Sequence, residues 1–263
     1  YSDEVRKKIE FIITFIEKLT EDQLTSSEKS ILDRCLRKIY QDFKYKNDDP
    51  VLSDLYKALK NQTEELAEQI ALKMEIYIEG SLDIFAKKSN VNINKRLVCF
   101  DIKDLREQLR PSAITVILDS TWERLNHNRD LRKFTRLYID EFHLLAKNKS
   151  SSEWLVEAWK RVRKYRGIPT GITQNIPDII INKNIASMLS NSEITVIMNQ
   201  KAKDKDELIN VMGLSENQVD KVINCQAGTG LLVAGKTVVG FNNRVSPEEI
   251  PNLYKLITTS HKD

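Results

Sequence analysis

The sequence contains no apolar run approaching the ~18 residues that a helix needs to cross a bilayer. Its opening residues lack the charged, apolar and small-residue order of a secretory leader. Cysteine is scarce: Cys35, Cys99 and Cys225 lie far apart, which excludes a disulfide framework or a zinc-binding spacing. They are expected to be reduced core thiols of a cytosolic protein. The 3 histidines also lack metal-ligand spacing. Charge of one sign is missing too, with 41 Lys and Arg against 38 Asp and Glu for a net +3, too little to argue for nucleic acid. One dense basic cluster stands out, Lys160-Arg-Val-Arg163-Lys164-Tyr-Arg166. At 263 residues, 41% hydrophobic and 30% charged, the chain is long enough for one large or two small globular domains.

What the chain does contain is Arg136-Leu-Tyr-Ile-Asp140-Glu141-Phe-His143, an apolar run that leads straight into adjacent carboxylates. A short apolar run of this kind reads as a strand buried in a parallel sheet. Acids at its C-terminal end would sit where open α/β folds bind ligands. This is the Walker B arrangement of a nucleotide hydrolase: one carboxylate serves Mg²⁺ and the next orients the attacking water. The plainer reading, a strand ending in a solvated acidic turn, stays open on these residues alone.

Residues 1 to about 92 read as an all-α subdomain. Val5, Ile9, Ile12, Ile16 and Leu19 mark one helical face, and Thr25-Ser-Ser-Glu28 is a capping box for the next helix. A short helix over 52–59 and another bearing Leu66, Ile70, Met74 and Tyr77 follow. From Arg96 the period changes. Leu97 to Phe100 is expected to be a strand, Pro111 to open a helix, and 126–130 to be a loop. A helix over Glu153–Arg166 is expected to end at Gly167, with strands at 170–174 and 194–198. Isoleucines recur through 176–185; helices are expected over 204–211, 215–223 and 247–257, and a hairpin at 231–241. Strands alternating with helices over 93–263 argue for a mainly parallel α/β sheet covered on both faces.

Gly230-Leu-Leu-Val-Ala-Gly235-Lys236-Thr237 has the spacing of a Walker A phosphate loop. That motif needs a loop followed by a helix whose N-terminus faces phosphate. Leu, Leu, Val and Ala belong in a strand, and Val-Val-Gly-Phe after Thr237 cannot open a helix. The match is therefore expected to be a hairpin without nucleotide chemistry.

Taken together, the chain resembles the conjugation and type IV secretion ATPases of the VirB/TrbE/CagE family, from its start to near Asn252. The likeness rests on the helical insert and an ordered set of segments: Arg96–Ile102, Leu137–Glu141, Arg163–Gly167, Ile172–Gln174, Ser190–Ser192, Gly228–Leu232 and Ser246–Glu249. It implies an incomplete RecA-like core of the FtsK/HerA group, spanning 93–263, with residues 1–92 as its helical insertion. By that resemblance Asp140 would hold Mg²⁺, directly or through water, and Glu141 would be the catalytic carboxylate. Gln174 would sense the γ-phosphate of ATP or position water, as an amide can both donate and accept. Arg163 and Lys164 would match a basic pair in which an arginine reaches a neighbouring subunit's nucleotide. A solvated helix face for that pair, and a mere strand terminus for Gln174, remain the plain alternatives. The Walker A elements are absent, so the piece is expected to hydrolyse little ATP alone. Implied partners are other secretion components at the inner membrane, further copies of the chain in a hexamer, and DNA. The implied location is cytoplasmic, peripheral at the inner face of the cell membrane.

Two other classes fit part of the pattern. Asp140-Glu-Phe-His143 also spells a helicase D-E-x-H box, but Thr173-Gln174 stands where Ser-Ala-Thr is expected and no late arginine motif appears. A docking module without catalysis would tolerate Glu141→Gln, and a DNA-translocating relative would differ only in what it moves.

Overall fold

The computed structural model describes residues 2–46, 48–89, 92–146, 149–174, 186, 188–189 and 191–258. The chain divides into two compact units, 1–121 and 122–263.

The first unit is helical: α1 (Asp3–Leu19), α2 (Ser26–Phe43), α3 (Leu52–Lys60) and α4 (Glu65–Ile78). The expected capping box is present. The Glu28 amide donates to Thr25 Oγ1 at 3.3 Å, and Thr25 N returns a bond to Glu28 Oε2 at 2.8 Å. Glu28 is buried and Lys73 of α4 reaches its other oxygen at 3.1 Å. Ile9 and Ile16 of α1 pack with Leu32, Leu36, Leu59, Ile70 and Met74, all removed from water. Burial of each such side chain stabilises the unit by roughly 1.5–3 kcal/mol.

The strand expected at 97–100 does not form. These residues are irregular, Leu97 is 87% exposed and the Cys99 thiol lies at the surface rather than in a core. A lone run needs a partner strand to satisfy its backbone, and among the described residues none pairs with it. Cys35 is buried as expected, and Cys225 is half-buried.

Helix α5 (Arg110–Asp130) takes in residues 126–130, which were expected to form a loop. The Asn126 amide donates back to Trp122 O at 3.0 Å, so it stays within the helix instead of breaking it. The chain turns at Arg132, whose φ of 57° is left-handed.

The second unit carries β1 (Thr135–Ile139), α6 (Phe142–Ala146), α7 (Lys149–Arg161) and β2 (Gly167–Gly171). β1 and β2 are parallel, with Thr135 opposite Gly167 and Ile139 opposite Gly171. Leu137 and Ile139 pack against Leu155, Trp154 and Trp159 of α7. α7 ends before its expected limit: Val162–Tyr165 tighten into a 3₁₀ turn, and Arg166, not Gly167, takes the left-handed position at φ 55°. Gly167 instead opens β2. A Cβ there would lie 2.2 Å from Val162 Cγ2 and 2.7 Å from Leu125 Cδ2, so the strand can start close to the turn only because the residue is glycine.

Three further strands pair antiparallel in the order β3 (Ile194–Ile197), β4 (Thr229–Ala234) and β5 (Thr237–Asn242). One face packs Ile197 and Leu231 on Leu208 of α8 (Lys205–Met212) and on Val219 and Val222 of α9 (Glu216–Ile223). The hairpin around Gly235-Lys236 forms as expected, so the phosphate-loop spacing lies across β4, a tight turn and β5. The last helix, α10 (Pro251–Thr258), starts at Pro251 rather than Pro247. Proline suits a first helical turn, where no backbone donor is needed, and not a position further in. The isoleucines of 176–185 lie outside the described residues.

Candidate functional site at the tips of two parallel strands

Both β1 and β2 point their C-terminal ends the same way, and the acidic pair emerges there. Ile172 N extends the pairing past β2 by donating to Ile139 O at 2.9 Å. Phe142 N then donates to Ile172 O at 3.1 Å, which ties the residue after the acids to the neighbouring strand. Between these bonds Glu141 has a φ of 46°, a conformation that costs a non-glycine residue on the order of 1 kcal/mol. Such strain persists only where the surroundings over-determine it, and it is concentrated at functional sites.

The surroundings here are specific. The Phe142 ring stacks near Trp159 of α7, with centroids 6.4 Å apart. The ring also lies against Gly171, where a Cβ would come within 3.0 Å of it. Glycine in β2 and tryptophan in α7 thus fix the residue that follows Glu141. The short helix α6 starts with Leu144 N donating to Glu141 O at 2.9 Å.

Asp140 is exposed, and its Oδ1 accepts from Glu141 N at 3.0 Å. Glu141 is half-buried, and its two carboxylate oxygens have different partners. Gln174 Nε2 donates to Oε1 at 3.0 Å, while His143 Nδ1 lies 3.3 Å from Oε2. Thr173 Oγ1 is 2.9 Å from the same His143 nitrogen. The expected site residues Asp140, Glu141 and Gln174 are therefore brought together, with Glu141 and Gln174 in direct contact. His143 and Thr173 join them; the sequence marks them only as parts of the D-E-x-H spelling and of the Ile172–Gln174 segment, with no link to the Glu141 carboxylate. Each does sit one or two places from an assigned residue, which was the available signal.

Arg163 and Lys164 are not at this tip. Both are exposed in the 3₁₀ turn before β2, at the opposite end of the strand pair. Five strand residues separate that turn from Ile172, roughly 16 Å of rise. Both side chains therefore stand apart from the carboxylate site of the same chain, on an exposed turn. Tyr165 between them and the strand packs on Trp122 with centroids 4.9 Å apart, and Arg129 lies over its ring at 5.1 Å.

The donor set suits Mg²⁺ of one kind only. Among the described residues no group of three or more His, Cys, Asp or Glu side chains could cage an ion. Asp140 alone fits an ion held by one carboxylate together with water and substrate phosphates, which is the usual manner for Mg²⁺.

A family model described as the TraG P-loop domain matches residues 1–230. Comparison with curated proteins gives no match. Among solved structures, VirB4 of Thermoanaerobacter pseudethanolicus has a TM-score of 0.70 at 24% identity, over 92% of this chain and 70% of that one. The plasmid coupling protein TrwB, in complex with the non-hydrolysable GTP analogue GDPNP, has a TM-score of 0.48 at 12% identity, over 89% of this chain and 68% of that one. The VirB4 likeness shows the fold, an α/β architecture of the RecA-like kind with helical additions. The TrwB likeness is too distant to carry an argument.

Proposed function

The chain belongs to the TraG P-loop domain family of conjugation and type IV secretion motors, and from that premise we propose that it carries the water-activating half of an ATPase site. The observation that supports this reading is the contact between Glu141 and Gln174, which joins the C-terminal tips of two parallel strands at 3.0 Å. In open α/β sheets that edge is where ligands bind.

In this reading Glu141 accepts a hydrogen bond from the attacking water and draws off its proton as the water oxygen bonds to the γ-phosphorus of ATP, the bond from that phosphorus to the β,γ-bridging oxygen breaks, and ADP leaves with that oxygen. Gln174 shares its amide between that water and a phosphate oxygen. Asp140 holds the Mg²⁺ ion, which when bound supplies charge neutralisation on the phosphates. Arg163, with Lys164 beside it, serves the nucleotide of the next subunit in a ring, a hexamer by family resemblance. The intact protein then couples hydrolysis to transfer of DNA or protein and to pilus assembly. Residues 1–92 are its helical insertion and 93–263 the later part of its nucleotide-binding core. Its partners are other secretion components at the inner face of the cell membrane, where it acts from the cytoplasmic side. Among the described residues no helix is long and apolar enough to cross a membrane.

Among the described residues no phosphate-cradling loop accompanies this site, since Gly230–Thr237, which has the spacing, is occupied by a hairpin. The 263-residue chain therefore hydrolyses little or no ATP by itself. The test is Mg²⁺-dependent hydrolysis by the intact protein with Asp140→Ala. Loss of hydrolysis supports the reading, and a wild-type rate overturns it.

A further inference from the structure

Four side chains form a connected row across the strand tips, in the order Gln174, Glu141, His143, Thr173. Glu141 comes from the turn after β1 and His143 from the first turn of α6, while Thr173 and Gln174 follow the end of β2. Gln174 holds Oε1 of the carboxylate at 3.0 Å, and His143 holds Oε2 at 3.3 Å. Thr173 lies 2.9 Å from the His143 nitrogen that faces Glu141. An ionised carboxylate can only accept hydrogen bonds, so for His143 to bond Glu141 the nitrogen 3.3 Å from Oε2 would be the one that carries a proton. With the proton there, Thr173 Oγ1 at 2.9 Å would be the second acceptor of that N–H.

The two anchors are not equivalent. Gln174 is exposed, whereas the His143 side chain is only 10% exposed. A nucleotide phosphate or a water can compete for the Gln174 amide, but bulk solvent has little access to the imidazole. A carboxylate on a glutamate side chain turns easily about its last torsion, which has broad wells. Once Gln174 turns toward substrate, one hold on the carboxylate must remain or its orientation is lost.

On this ground we infer that His143, seated by Thr173, is a positioning residue for Glu141. The inference rests on the ATPase reading of Glu141. Its Nδ1–H keeps Oε2 turned inward, so that Oε1 faces the attacking water when Gln174 releases it. His143 touches neither water nor nucleotide in this scheme, and no proton passes through it.

The intact protein carrying His143→Phe, His143→Asn, Thr173→Val and Glu141→Gln tests this by steady-state ATP hydrolysis. Phenylalanine keeps the ring and removes the donor. It is expected to lower kcat about 10–100-fold, the usual effect of losing an orienting partner, with KM for ATP unchanged. Asparagine restores a donor near the Nδ1 position and is expected to recover most of kcat. Thr173→Val is expected to lower kcat in the same direction. Loss of hydrolysis in Glu141→Gln together with a wild-type kcat in His143→Phe would overturn the inference and leave the ATPase reading standing. Retained hydrolysis in Glu141→Gln would overturn that reading itself. Nitrogen NMR of the imidazole in the chain, assigned by loss of the signal in His143→Asn, gives a readout independent of turnover. A proton on Nδ1 is expected; a neutral ring protonated on Nε2 alone would overturn the inference whatever the kinetics.

Discussion

Gln174 Nε2 donates to Glu141 Oε1 at 3.0 Å, linking residues 33 apart in sequence through the parallel pairing of β1 and β2. The bond makes the amide a competitor of the attacking water for one carboxylate oxygen. In the proposed ATPase site turnover would therefore require Gln174 to turn away, toward a phosphate oxygen. Gln174→Ala in the intact protein should lower kcat on the order of 10²-fold, as loss of one preorganised donor does, with a smaller change in KM. Steady-state kinetics checks this. An unchanged kcat would reduce Gln174 to a strand terminus.

Gly171 sets the position of Phe142, the residue after Glu141. An added Cβ would meet the ring at 3.0–3.3 Å, tighter than ordinary packing. Gly171→Ala should cost about 1 kcal/mol and Gly167→Ala more, within the roughly 1–3 kcal/mol of an overpacked site. Thermal unfolding measures both. Hydrolysis should fall further for Gly171→Ala than for Gly167→Ala, because only Gly171 supports the acidic turn.

In the helical unit the Glu28 carboxyl is held below the usual glutamate range, chiefly by the Thr25 backbone amide; burial opposes the shift, and the Thr25 hydroxyl and Lys73 add to it. A lowered folded-state value contributes stability that is complete above the unfolded value of about 4.3 and is lost as pH falls through the folded value. Glu28→Gln should therefore lower the melting temperature at neutral pH, and the gap to wild type should narrow in acid below about pH 4. Thr25→Ala, which removes the cap oxygen, should cost about 1 kcal/mol. Melting curves across pH decide both.

Lys236 occupies the turn between β4 and β5, and its side chain is exposed. Lys236→Ala should change stability by no more than about 0.5 kcal/mol and should leave Mg-ATP binding by the chain unaltered. Calorimetric titration checks this. Binding that disappears with this substitution would make the hairpin a phosphate loop and overturn the placement of the site.

Much of this was legible because strong patterns are local. An apolar run ending in Asp140 and Glu141 announced β1 and its tip, and Leu, Leu, Val and Ala between the glycines announced a strand instead of a phosphate cradle. The helical faces around Ile9, Leu32 and Ile70 were equally plain. The misses were positions where a neighbour decides. Leu97 to Phe100 has the composition of a strand but no described partner. Gly167 looked like a helix terminator, yet Arg166 takes the left-handed turn and the glycine is spent on close contact with Val162 and Leu125. The register of β2 was therefore placed three residues late. His143 and Thr173 could not be joined from sequence, since their contact exists only once both strands lie parallel in register.

The Glu141 carboxylate is the group on which a water-activating role at the strand tips depends. Glu141→Gln keeps the side chain's shape and removes its charge, so nucleotide binding and hydrolysis can be read separately in the intact protein. The predicted result is ATP binding near the wild-type level with hydrolysis reduced by about 10²–10⁴-fold. Hydrolysis at the wild-type rate would contradict the assignment of the strand-tip cluster as the water-activating site.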